Sequence, residues 1–362
     1  MLITWGFERS KTDPCLYTWK QGKEWINLAI WVDDIFAVAS DALIETRGES
    51  KLWDDLVEKL VKAFDKVTNN GNLSWALGLE FVQQEQGISI TCQQYIEKLV
   101  DKFGLQHAHT TETPIGETPD MTKIEVPIPD SKEYWENQKL PYRQIIGSLI
   151  YASVTCRPDI AYATNLLSRW CANPAQKHFA AAKRVVKYLH GTSKKGLFYT
   201  STANRPYRFT VPIDAAYADD NSTRRSTSGL LIYLGLNLVH WKSTRQPVVA
   251  MSSAESEYIA LCMGVRETYC LRGVARDCVE IPEEDRTLHV LQDNQASITI
   301  AEEPALRKNS KGWDVRWHWV QEQKASGDIE ITWVPTYDML ADGLTKALGP
   351  MKFKPFRTNV VA

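Results

Sequence analysis

The chain has 362 residues, with 44% apolar and 24% charged residues and a formal net charge of −2. That length suits two or three domains of roughly 100–200 residues each. The near-neutral balance excludes a protein that holds nucleic acid over its whole surface and leaves such binding to local patches. In chain order, INLAIWVDDIFAVA (26–39) sets two apolar runs around an acidic pair, which predicts a β-hairpin with Asp33 and Asp34 at or near its tip. A helix is predicted over 49–63, then two strands within WALGLEFVQQEQGISIT (75–91), joined at Glu85–Gly87. Ile96, Leu99, Val100 and Phe103 lie at i, i+3, i+4 and i+7 in an amphipathic helix that Gly104 ends.

Residues 111–141 hold Pro114, Pro119, Pro127, Pro129 and Pro141 among Thr, Glu and Asp, and are expected to form an extended connector. Helices are predicted over 142–154, 159–171 and 175–190. From Tyr207 the order is strand (207–213), strand (229–234), strand (238–244), helix (252–278), strand (286–292), helix (294–302), helix (315–325), strand (329–334) and helix (339–347). Three strands followed by alternating helix and strand indicate a mixed sheet with helices packed on it. The seven cysteines are scattered without a C-x-x-C pair, so reduced thiols in an intracellular protein are expected. No basic-then-apolar signal segment and no apolar run of about 18 residues is present, so neither a signal peptide nor a membrane span is expected.

Four acids stand at element ends or on a helix face: Asp214, Glu257, Asp293 and Asp342. Acids gathered from distant segments repel one another, so their convergence would imply bound cations. Four carboxylates suit two Mg²⁺ ions about 4 Å apart, with Mn²⁺ as a substitute. Each acid also has a plainer role. Asp293 can cap the helix after it, Asp342 can favour a first turn, and Asp33–Asp34 can be a simple hairpin turn.

Over nearly its whole length the chain resembles the C-terminal part of the polyprotein of copia-type LTR retrotransposons. KTDPCLY (11–17), WVDD (31–34), LGLEF (77–81), YIEKLVDKFGL (95–105) and YRQIIGSLIYASVTCRPDIAYATNLLSRW (142–170) resemble the family's reverse-transcriptase and following segments. IDAAYADD (213–220), RRSTSG (224–229), MSSAESEYIAL (251–261), LQDNQAS (291–297) and VPTYDMLADGLTK (334–346) resemble its RNase H boxes. The resemblance implies α/β and α+β domains: a truncated palm and thumb-like region (1–110), the linker (111–141), a helical connection (142–205), an RNase H-like mixed sheet flanked by helices (206–350) and a C-terminal tail (351–362). It also implies an RNA–DNA hybrid as partner and a setting in a cytoplasmic particle or the nucleus.

By the same resemblance Asp214, Glu257, Asp293 and Asp342 are the catalytic metal ligands, with Glu257 preferred to Glu255 and Asp342 to Asp338. Two Mg²⁺ ions would activate a water and stabilise the leaving 3′ oxygen. Asp33 and Asp34 match the palm's paired aspartates. The family's third palm Asp lies upstream of WVDD, beyond this sequence, so no polymerase activity is expected from the chain alone and an upstream reverse-transcriptase region is a candidate partner. Arg224, Arg225, Ser226 and Thr227 are candidates for substrate contact. Lys242, Arg245, Lys308, Lys311 and Lys346 are candidates for phosphate. Two departures bear on activity: Ala216 stands where the family's box has a second Asp, and Trp313 where a His is usual. The alternatives are a non-catalytic hybrid-binding remnant and a co-opted interaction protein.

Overall fold

The computed structural model describes residues 1–40, 51–64, 66–116, 121, 124–200, 207–302 and 314–362. Two compact units account for them. One comprises Met1–Leu73 with Tyr269–Pro282, the other Ser74–Thr268 with Glu283–Ala362.

The first unit is built on a four-stranded antiparallel sheet of β1 (Glu8–Arg9), β2 (Leu16–Gln21), β3 (Glu24–Trp31) and β4 (Asp34–Ala39), paired in that order. Helix α1 (Lys51–Ala63) supplies Leu56 to a core with Phe7, Ile26 and Leu28. The β3–β4 hairpin closes through Val32 and Asp33, with Trp31 paired to Asp34. Val32 has φ of 53°, a left-handed conformation that a β-branched residue adopts only under strain. Residues 269–282 join this unit through polar contacts. Ser10 Oγ and the Lys11 and Thr12 amides donate to Asp277, and Asn27 Nδ2 donates to the Cys278 carbonyl at 3.0 Å.

The second unit carries two sheets. β5 (Trp75–Ala76), β6 (Leu79–Gln84) and β7 (Gly87–Thr91) form an antiparallel meander that β8 (Leu197–Thr200) completes. Helix α2 (Gln93–Lys102) buries Ile96, Leu99 and Val100, the apolar stripe its sequence predicts. Helix α3 (Lys132–Gln138) corrects the extended reading of 111–141. Ser131 caps it by accepting from the Tyr134 amide at 3.1 Å, and Ile115 and Met121 are buried in the main core. Proline content hid both features, because neither depends on a long apolar run. Helices α4 (Tyr142–Thr155), α5 (Ala161–Ser168) and α6 (Gln176–Gly191) form the centre of that core.

Most of the C-terminal tail, 351–362, is helical. The final helix, Pro350–Val360, presents Phe353, Phe356 and Val360 to the main core at helical spacing, with the Phe353 ring 5.7 Å from that of Tyr188. Pro355 lies inside this helix.

The second sheet has the order β11–β10–β9–β12–β13: β9 (Phe209–Ala216), β10 (Thr227–Leu234), β11 (Asn237–Arg245), β12 (Leu288–Gln292) and β13 (Ile329–Trp333). β9, β10 and β11 are antiparallel neighbours, while β12 runs parallel to β9 and β13 parallel to β12. The connections carry α7 (Ser253–Cys278), α8 (Gln295–Glu302) and α9 (Asp314–Ala325). This is the mixed sheet read from the chain. One element differs: the helix expected over 339–347 is a short 3-10 turn, Leu340–Leu344. Gly343 packs there so tightly that a Cβ would lie 2.5 Å from the Phe356 ring.

Candidate metal centre

Two close approaches assemble the site. Gly264 in α7 lies against Ile213 of β9, where an added Cβ would come within 2.4 Å of the Ile213 side chain. Glu257 sits two turns earlier on the same helix face, so this contact sets its carboxylate beside Asp214. Gly229 of β10, paired with Asp214, does the same for the chain's C-terminal part. A Cβ there would lie 2.8 Å from Leu344 Cβ and 2.8 Å from Thr345 Cγ2. Gly229→Val is expected to lift the 340–346 segment off β10 and cost about 1–3 kcal/mol by overpacking, read as a lower urea midpoint. An unchanged midpoint would mean that the segment does not depend on this seat.

Asp214, Glu257 and Asp293 each place a carboxylate oxygen within 4.8 Å of the others, the one such grouping of three or more candidate ligands among the described residues. Asp214 and Glu257 are buried at 4% and 6% exposure. Asp293 follows the last residue of β12 and is half-buried. It does not cap α8. Asn294 Oδ1 accepts from the Ser297 amide at 3.0 Å and takes that role, leaving the Asp293 carboxylate to the cluster. Glu255 is half-buried and accepts from the Met251 amide outside the cluster. Asp338 is exposed in a separate turn.

Asp342 stands beside the three rather than among them. Its Oδ1 pairs with Lys346 Nζ at 2.7 Å, and its charge acts on Asp214. Thr345 Oγ1 donates to Asp214 Oδ2. Sequence reading passed over Thr345 and took Lys346 as a phosphate contact. The signal was the adjacent T-K of the box that carries Asp342.

The electrostatics follow from this crowding. Burial, then the charges of Asp214 and Asp293, push the Glu257 carboxyl up to about 9. Burial and Asp342 raise Asp214 to about 6 against the opposing Thr345 bond and Lys346. Burial likewise raises Asp293, opposed by the Thr336 side chain. Three hard oxygen donors held together at such cost, with Glu257 Oε2 buried and without a hydrogen-bond partner, fit a divalent cation such as Mg²⁺ or Mn²⁺. Ala216 leaves β9 without a second acid there, and the cluster forms without it.

The candidate substrate contacts separate into two groups. Arg224 is exposed in a turn and Arg225 is half-buried. Ser226 and Thr227 are buried: Ser226 Oγ accepts from the Ala218 amide, and Thr227 Oγ1 donates to Asp219 and accepts from Arg169. Arg245 pairs with Asp220 at 2.6 Å and Lys242 with Glu267 at 2.8 Å. Lys308, Lys311 and Trp313 lie outside the described residues. Asp33 and Asp34 are exposed at the tip of the first unit's hairpin and belong to no such cluster among the described residues.

The mixed sheet, with three antiparallel strands and two parallel ones and acids on its central strands, is RNase H-like, and the region before it is reverse-transcriptase-like. Residues 1–117 match the family model "Reverse transcriptase (RNA-dependent DNA polymerase)". The chain belongs to the copia-type Pol polyproteins of retrotransposons, whose C-terminal region it represents. It is 30% identical over 351 residues to the retrovirus-related Pol polyprotein from transposon TNT 1-94 of Nicotiana tabacum, covering 96% of this chain and 25% of that protein. It is 29% identical to the corresponding polyprotein from transposon RE2 of Arabidopsis thaliana, covering 99% of this chain and 23% of that one. The chain thus spans about a quarter of these relatives' length. Among solved structures, the foamy viral protease-reverse transcriptase in complex with an RNA/DNA hybrid is 14% identical, with a TM-score of 0.44 over 85% of this chain and 36% of that one. No helix among the described residues is long and apolar enough to cross a membrane.

Proposed function

We propose that the second unit hydrolyses the RNA strand of RNA–DNA hybrids, with Asp214, Glu257, Asp293 and Asp342 as the acids of the site. The observation that carries this reading is the buried grouping of Asp214, Glu257 and Asp293, with an unpartnered oxygen on Glu257. A divalent cation there, Mg²⁺ or Mn²⁺, supplies water activation and charge stabilisation at the leaving 3′ oxygen. The residues' own parts are distinct. Asp214, fixed by Thr345, is the rigid ligand at the centre. Glu257 and Asp293 flank it from a helix and a strand end. Asp342 stands beside Asp214, paired with Lys346. Arg224, which is exposed and bonded only within its own turn to Asn221, and half-buried Arg225 are the groups of RRSTSG that would meet the hybrid, and selection for RNA would rest on 2′-hydroxyl contacts. In this reading residues 206–350 are the nuclease part, 142–205 its helical connection and 1–110 the reverse-transcriptase-derived part.

The test is cleavage of a labelled RNA–DNA hybrid by purified protein in Mg²⁺, beside Asp293→Asn. Cutting by the parent and loss of at least about a hundredfold in the variant are expected, the scale of removing a group that stabilises the transition state. A well-folded parent that cuts in neither Mg²⁺ nor Mn²⁺ would sink the reading. Ala216, in place of a second acid on β9, favours a hybrid-binding remnant as the second reading. Retained hybrid binding in Ca²⁺ without any cleavage would establish it.

A further inference from the structure

We infer that Lys346 is an internal counter-cation of the acidic cluster, and that its ammonium competes with a divalent ion for Asp342 and for the field of Asp214 and Asp293. This rests on the reading of the cluster as a metal site. Among the described residues, Lys346 is the basic group that forms an ion pair with any of the four acids, at 2.7 Å from Asp342. Its place is set by the backbone. The Thr345 and Lys346 amides both donate to the Asp342 carbonyl, at 3.2 and 3.1 Å, and the Thr345 hydroxyl anchors the turn to Asp214. The turn that brings Asp342 to the site therefore brings a positive charge with it.

The consequence for the ligand set is visible in the geometry. Asp214, Glu257 and Asp293 share one point, while Asp342, engaged by Lys346, does not join them. The lysine meets the cluster through Asp342, 2.7 Å away, and the Thr345 next to it in the chain bonds Asp214. A divalent ion must enter against that charge, and like charges a few ångströms apart repel strongly where water is partly excluded. Lys346 thereby supplies part of the neutralisation that a second cation would provide.

The experiment is Mn²⁺ binding to the full chain at pH 7.5 and low salt, read from the paramagnetic resonance of free Mn²⁺. The variants are Lys346→Met, Lys346→Arg and Asp214→Asn. Lys346→Met is expected to bind Mn²⁺ about tenfold more tightly than the parent. Lys346→Arg, which keeps the charge, is expected to stay within about twofold of the parent. Equal or weaker binding by Lys346→Met, with binding still lost in Asp214→Asn, would overturn the role of Lys346 and leave the metal site standing. No binding by parent or Lys346→Met, both folded by circular dichroism, would overturn the site and this role together.

Discussion

Glu257→Gln is expected to make the divalent-free protein more stable at pH 8 while abolishing hybrid cleavage. The Glu257 carboxyl is pushed up to about 9 by burial and by Asp214 and Asp293, from the 4.5 of a free glutamate. Between those two values the folded chain keeps a proton that the unfolded chain has released. The unfolded state then binds fewer protons, so stability falls as pH rises through this window. Glutamine mimics the protonated acid and has nothing to release on unfolding. Its gain is therefore absent near pH 4 and grows to the order of a few kcal/mol at pH 8, shared among acids that titrate together. Melting curves in EDTA from pH 4 to pH 9 measure it. A parent whose melting temperature rises over this range, or a variant less stable at pH 8, would contradict the crowded cluster. Added Mg²⁺ should stabilise the parent, in proportion to its occupancy, and not the variant.

Asp159→Ala is expected to cost about 3–5 kcal/mol, far more than its distance from the acidic cluster would suggest. Arg157 is fully buried at 0% exposure and meets Asp159 through two bonds, Nε to Oδ1 at 2.9 Å and Nη2 to Oδ2 at 2.7 Å. Thr192 accepts two further Arg157 bonds, and the Tyr188 hydroxyl donates to Asp159 at 2.5 Å. Alanine at 159 strands the guanidinium in the core without its counter-charge. The double variant Arg157→Met with Asp159→Leu removes both charges and should recover much of the loss, since a buried pair and a well-packed apolar pair are close in energy. Urea unfolding of the three proteins decides it. A single variant within about 1 kcal/mol of the parent would mean that water reaches Arg157.

Much of the fold was legible because its elements obey simple periods. The strands around Asp214 and Asp293 and the long helix with Glu257 lie within a few residues of where alternation and apolar spacing put them. The extended connector was misread, and the helix of the tail was not foreseen, because composition stood in for contact. Ser131 capping α3 and Phe353, Phe356 and Val360 meeting the core are local facts that proline counts obscure. At the site, the acids were read from motifs, but the sharing of work among neighbours was not. Asn294 rather than Asp293 caps α8, and Lys346 turns toward Asp342, because both outcomes depend on side-chain geometry across elements. Arg245 and Ser226 show the same limit: as basic or polar residues in a motif they suggest ligand contact, yet each is committed to a protein partner.

The first unit is discontinuous in the chain, and this restricts how the protein can be divided. Helix α7 begins with Glu257 at the acidic cluster and ends with Asp277 and Cys278, which belong with Ser10, Thr12 and Asn27. A deletion of residues 1–73 would remove the hairpin and also strip the last turns of that helix of their polar partners. Any shortened form of the second unit must therefore end the helix by its own means, with a new cap near residue 268, or inherit an unsupported stub. Gene fragments that keep only the C-terminal boxes would be under selection to solve that helix end before they could improve anything at the acids.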